Sequence, residues 1–469
     1  MADSPVVSDT AIALNRFGLG VRLGDAPPAD ARAWLLAQFE RYEPRPAAWA
    51  ALAGAPAIVE ALGQARRQGA PGNDAGEAVQ QSAAKQAARA AVRTEVRDDY
   101  RSAVDARVES ALATDTPFVE RLVHFWSNHF AVSTEKPQVA ALAGAFEAEA
   151  IRPHVLGRFE DMLLAVERHP AMQIFLDQVR SVGPDSTAAM RADARDPEHK
   201  HGLNENLARE IMELHTLGVR TGYTQDDVTE FARALTGWSI VGAQGRGGAP
   251  GSFVFRQGVH EPGERTIMGR RYGERGEAQA LAVLHDLAAA PATARHIAGK
   301  LARHFVADNP SEAMIAQLAH TFETTDGDLP SVYRALVAAR EAWTPVATKF
   351  KTPWDWTISA LRGLGLRSLG NVHAAPMLTQ LGQPVWRPGS PAGYDDNAAS
   401  WAAPDALVRR VELAQRMAAR VGDRVDPRTL GPILLAGAPS QSTTLAVARA
   451  ESVPTALALL LVSPEFQRR

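Results

Sequence analysis

Apolar residues recur at three- and four-residue spacing twice within residues 203–238, on either side of a glycine turn, and that period calls for a pair of amphipathic helices. Leu207, Ile211, Leu214 and Gly218 share one side of the first segment, with Ala208 and His215 at its edge. Glu205, Arg209 and Glu213 form an i, i+4 ladder on the other side, flanked by Asn206 and Glu210. After the Gly218–Gly222 turn, Thr224 caps a second helix, and Asp227 completes a capping-box pattern. Val228, Phe231, Ala232 and Leu235 form its buried stripe, and Trp238 closes it beside Gly237, where core packing competes with stacking on a ligand.

A Glu–Arg ladder serves a plain solvated face, where each pair adds roughly 0.2–0.5 kcal/mol. Three features turn the first segment toward a site. Asn204 and Asn206 are poor helix formers, suited to capping or side-chain hydrogen bonds. His215 lies on the apolar side, where an imidazole needs a partner. The immediate second helix covers one face of the first.

Residues 116–130 carry a second such arrangement. Thr116 followed by Pro117 starts a helix, because proline at the first position gives up only an amide that was already unpaired. Glu120, His124 and Asn128 align on its polar side, while His129 falls among Phe118, Leu122, Phe125 and Trp126. His129 and His215, each on an apolar flank, point to a shared buried polar cluster, where perturbed pKa values gather.

The runs ALNRFGLG (13–20), HFWSNHF (124–130), the Asn-Glu-Asn to Thr-Gly-Trp block, DLPSVYRALV (328–337), LGQPVWRPGSPAGY (381–394) and SPEF (463–466) resemble domain of unknown function 1800. Tyr394 stands where that pattern has tryptophan, and Glu261 follows His260 where aspartate is more familiar. The resemblance spans nearly the whole chain and implies a mainly helical bacterial protein. It also implies a neighbour of the domain of unknown function 1501 type (DUF1501), which is similar to phosphatase-like and sulfatase-like enzymes. No reaction comes with it.

The expected fold is mainly α, a multi-helix, bundle-like core with one small β-hairpin near residues 252–268. Residues 1–469 are expected to form a single large helical domain, with an alanine-rich helical insertion at 50–113, broken by glycine and proline at 69–72, and a β-hairpin insertion at 241–272. The hairpin is expected to pair Phe253–Phe255 with Arg265–Met268 across a turn holding His260 and Glu261. His199 and His201 sit in a long polar loop at 181–202. Lys300, Arg303 and His304 are assigned to the surface, with a phosphate-facing role as the alternative. The aromatics Trp354, Trp356, Trp386, Tyr394 and Trp401 are expected to anchor a long loop, with a platform for sugar rings as the alternative.

A formal charge of −3 argues against a nucleic-acid binder, which shows a basic excess. The chain has no cysteine, so disulfides, thiolate catalysis and cysteine-based metal sites are excluded. No apolar run approaches the roughly 20 residues that cross a bilayer, so no membrane insertion is expected. Residues 1–17 lack a basic stretch followed by an apolar one, which places the chain as given in the cytoplasm; a removed leader would make it periplasmic or secreted.

Nucleophile-elbow, Walker, Rossmann and His-Glu-x-x-His patterns are absent, and carboxylates and histidines dominate the polar segments. The favoured reading is a carboxylate-dependent hydrolase acting on a polar substrate, with glycan as the natural example. Its catalytic candidates are Glu205, Glu213, Glu210, His215 and His129, with Arg209 tuning their charge and Asp177 or Glu120 as the second carboxylate. Asn204, Asn206, Arg209, Trp126, Asn128, Trp238 and His260 are the substrate-binding candidates. Glu213→Gln is expected to keep the fold and remove activity. Two alternatives stand beside this one: a non-enzymatic partner or scaffold for a DUF1501-type protein, and an enzyme holding a divalent metal through Glu and His.

Overall fold

Proline and short polar side chains set where the helices begin. Pro117, Pro137, Pro291, Pro353 and Pro404 each occupy the first turn of a helix, where the missing amide costs no hydrogen bond. Ser8, Asp30, Ser311, Asp328 and Thr352 cap helices through their side-chain oxygens, the last two ahead of a first-turn proline. Thr224 and Asp227 form the reciprocal capping box. The computed structural model describes residues 8–68, 78–194, 202–435 and 439–469; His199, His201 and the break at 69–72 lie outside them.

The architecture is mainly α, and one contiguous apolar cluster runs from Ile12 to Phe466. Phe17, Phe118 and Phe305 meet in its middle at ring separations of 5.5–5.8 Å, the edge-on and offset distances at which aromatic pairs attract. The alanine-rich segment forms helices Ala55–Gln68 and Ala78–Ala113. The second ends in a buried stretch containing Val104, Val108 and Leu112. Ala103 on it approaches the helix Pro137–Phe146 so closely that a Cβ on Gly144 would lie 2.4 Å from the Ala103 Cβ.

The strands pair differently from the single expected hairpin. Strand β1 (Trp238–Ile240) pairs antiparallel with β2 (Phe253–Phe255), and β3 (Arg265–Ile267) pairs with β4 (Arg270–Tyr272). The local turn explains the second pairing. Met268 and Gly269 both have positive φ, 50° and 78°, the conformation a two-residue hairpin turn needs. His260 and Glu261 therefore connect two hairpins and tip neither. Among the described residues, no helix is long and apolar enough to cross a membrane.

Candidate functional site

The Asn-Glu-Asn helix is short, Asn206–Glu210, and continues as a widened π turn, Ile211–His215, a form common at functional sites. Its polar residues mostly join elements together. Asn204 donates to the carbonyls of Leu176 and Asp177, each at 3.2 Å, and accepts from the Asn206 amide. Glu205 accepts from Thr229 (2.7 Å), Gln225 (2.8 Å) and Arg209 (3.1 Å), which stitches the two helices. The Thr229 bond leads in holding its carboxyl below the usual range. Asn206 is exposed, whereas Glu210 is half-buried and pushed up, chiefly by burial. Glu213 sits beside Tyr223, whose hydroxyl is pushed up by burial and then by that carboxylate.

The two histidines singled out above are brought together. His129 Nε2 lies 3.1 Å from the carbonyl oxygen of His215, and His215 Nδ1 lies 2.7 Å from Glu167. His296 Nε2 meets the adjacent carbonyl, Leu214, at 3.1 Å. Two imidazoles thus donate to carbonyls left free where the π turn ends, which leaves Nδ1 of each ring as the acceptor. Trp126, Trp238 and His260 are buried structural groups. Trp126 donates to Tyr333 (2.6 Å), Trp238 packs on Phe253, and His260 meets the Thr236 carbonyl at 2.8 Å. Of the proposed second carboxylates, Glu120 pairs with Arg152 and Asp177 with Lys136.

A cavity of about 640 Å³ opens next to this helix end. Asn128 and His129 line it, whereas Glu205, Glu210 and Glu213 do not. One wall is the helix Pro291–Phe305, which presents His296, Lys300 and His304 one turn apart. Lys300 and His304 therefore face a cavity and not bulk water. The opposite wall is the loop from Gln383 to Ala399. Asn128 fastens that loop, donating to the Tyr394 carbonyl at 2.9 Å and accepting from its amide at 2.7 Å. Gly393 makes this possible: its φ is +82°, and a Cβ there would lie 2.2 Å from the Asn128 carbonyl oxygen. Gly393→Ala is expected to destabilise the fold by about 1–3 kcal/mol through backbone strain and overpacking, read as a lower urea midpoint.

Asp396, carried on the same loop, is the centre of the charge network. It accepts from His304 Nδ1 and pairs with Lys349 at 3.1 Å. Lys349 also reaches Asp308 at 2.7 Å. Below lies Asp355, between Arg121 (3.0 Å) and Arg469 (3.1 Å). Burial pushes both carboxyls up, but His304, Lys349 and Arg469 around Asp396, and Arg121 and Arg469 around Asp355, hold them far below the usual range. Arg107 reaches the far end of the cavity, between the rings of Trp354 (4.5 Å) and Trp386 (5.3 Å) and 2.9 Å from Glu147. The tryptophans thus grip an arginine. Trp354 also donates to His124 Nδ1 at 3.1 Å.

Burial lowers the basic groups here: His296 and His304 to about 4, Lys300 to about 8, and Lys351, beneath the Phe466 ring, to about 7. In each case the unfolded chain binds protons more readily than the folded one. Between the folded and unfolded values, stability therefore rises with pH. The melting temperature is expected to climb from pH 5 to 6.5 on the histidines and again from pH 7 to 9.5 on the lysines. A thermal scan that peaks at pH 6 and falls above it would contradict these assignments.

Among the described residues, no three His, Asp or Glu side chains converge to hold a metal ion. The model of the family described as "Protein of unknown function (DUF1800)" matches residues 12–468. No curated protein and no solved structure matches the chain.

Proposed function

The chain belongs to the DUF1800 family, and we propose that it is a hydrolase of polar substrates, with the 640 Å³ cavity as its active site and Asp396–His304 as its general base. One observation carries this reading. His304 Nδ1 is held by the Asp396 carboxylate, while Nε2 is buried in the cavity wall with no hydrogen-bond partner. A carboxylate on Nδ1 sets the tautomer, so that once a side-chain movement uncovers Nε2 to the cavity its lone pair takes a proton from water as it attacks. Asp396 then stabilises the imidazolium that forms. Lys349 holds Asp396 in place and ionised.

Carboxylate dependence is thus retained, but through an oriented histidine. A two-carboxyl glycan mechanism needs one acid that keeps its proton, and Asp355 and Asp396 are both held as carboxylates. The test is a panel of p-nitrophenyl acetate, phosphate, sulfate and glycosides, assayed with wild type and His304→Gln. Turnover of one class that is lost in the variant supports the reading. Wild type inert to all four, or a variant as fast as wild type, overturns it.

A further inference from the structure

We infer that the substrate of this cavity carries an oxyanion, and that Lys300, with Arg303 beside it on the helix Pro291–Phe305, is the group that receives it. The inference rests on the cavity being the active site and adds the chemistry of what enters it.

Lys300 stands apart from every other cation near the cavity. Arg121 and Arg469 share Asp355, Lys349 bridges Asp308 and Asp396, and Arg107 pairs with Glu147. Lys300 lines the cavity and makes neither a hydrogen bond nor an ion pair with a described residue. A half-buried ammonium held in this way is stabilised by an arriving anion, because the desolvation cost has already been incurred. The groups around it have other partners. From across the cavity, Asp396 is committed to His304 and Lys349. His129 and His296 have turned their Nε2 atoms to backbone carbonyls. Arg303 adds a second positive charge one turn along the same helix wall and is exposed, its Nε on the Asp308 carbonyl.

The cavity volume, about 640 Å³, is that of a pocket for an organic ligand and far larger than a bare ion needs. The oxyanion is therefore one group of a metabolite-sized substrate: a carboxylate, phosphate or sulfate. Binding it beside His304 would also raise that imidazole's basicity, since a nearby negative charge favours the protonated form.

The probes are sodium sulfate, phosphate and acetate, each compared with sodium chloride at matched ionic strength by thermal melting of the full chain. At least one is expected to raise the wild-type melting temperature beyond chloride, and which one does so tells tetrahedral from carboxylate chemistry. Lys300→Met is expected to lose that increment and Lys300→Arg to keep it. Because burial lowers Lys300 to about 8, with Asp396 raising and Arg303 lowering it, affinity for the anion is expected to fall about tenfold per pH unit above that value. Equal responses from wild type and Lys300→Met to all three anions overturn the inference. His304→Gln should keep the anion increment, so failure of the anion site and failure of the hydrolase reading separate cleanly.

Discussion

Glu120→Ala is expected to destabilise the protein by about 3–5 kcal/mol, as removing one partner of a buried pair does. Glu120 is 1 % exposed and takes two hydrogen bonds from Arg152, at 2.9 and 2.7 Å. Arg152 is equally buried, and its next carboxylate, Glu147, lies 3.9 Å away and is already engaged by Arg107 at 2.9 Å. The alanine variant leaves a guanidinium in the interior with a vacated space beside it. Burial pushes the Glu120 carboxyl up, but Arg152 and His124 outweigh it and hold it well below the ordinary range. Its contribution is therefore complete above the unfolded carboxylate value and lost as pH falls through the folded one. Urea unfolding at pH 7 reads the effect; a loss below about 1 kcal/mol, the size of an exposed pair, would refute the assignment.

His304→Gln is expected to lower turnover by about 10²–10⁴, the range a positioned general base supplies. Glutamine preserves side-chain bulk and a polar contact to Asp396 but cannot accept a proton at neutral pH. The fold should survive, because Asp396 keeps Lys349 and the loop keeps its clamp through Asn128. Burial lowers His304 to about 4, so its neutral form dominates at physiological pH. Activity should accordingly decline on acidification and hold at neutral pH, and the variant should lose that acid limb.

Helix starts were legible because proline and the caps act locally: Thr116-Pro117 and the Thr224–Asp227 box needed no tertiary information. Two imidazoles on apolar flanks each signalled a need for a partner, but spacing could not show that their helices touch; the partners are the His215 carbonyl for His129 and Glu167 for His215. The strand pairing was harder, since Phe253–Phe255 is compatible with either neighbour, and only the positive φ at Met268 and Gly269 closes the second hairpin locally. The cavity was hidden for a different reason. His296, Lys300 and His304 lie about 100° around the helix from the stripe Ile297, Leu301 and Phe305, and on a wheel such a face is indistinguishable from one in water. What covers it is a loop some 80 residues later, whose Gly/Pro-rich sequence has no period to read. The i, i+4, i+8 spacing of two histidines around a lysine was the available signal. In the Asn-Glu-Asn segment, by contrast, dense polarity was read as chemistry, while Asn204 and Glu205 serve to join elements.

We assign the chemistry to the cavity and not to the polar face of the Asn-Glu-Asn helix. The most direct test of this assignment is kcat/KM for His304→Gln and Glu213→Gln against wild type, at pH 7, on whichever panel substrate turns over. A loss of at least about 100-fold is expected for His304→Gln, with Glu213→Gln staying close to wild type. A Glu213→Gln variant that is dead but folded, beside an active His304→Gln, would contradict the assignment.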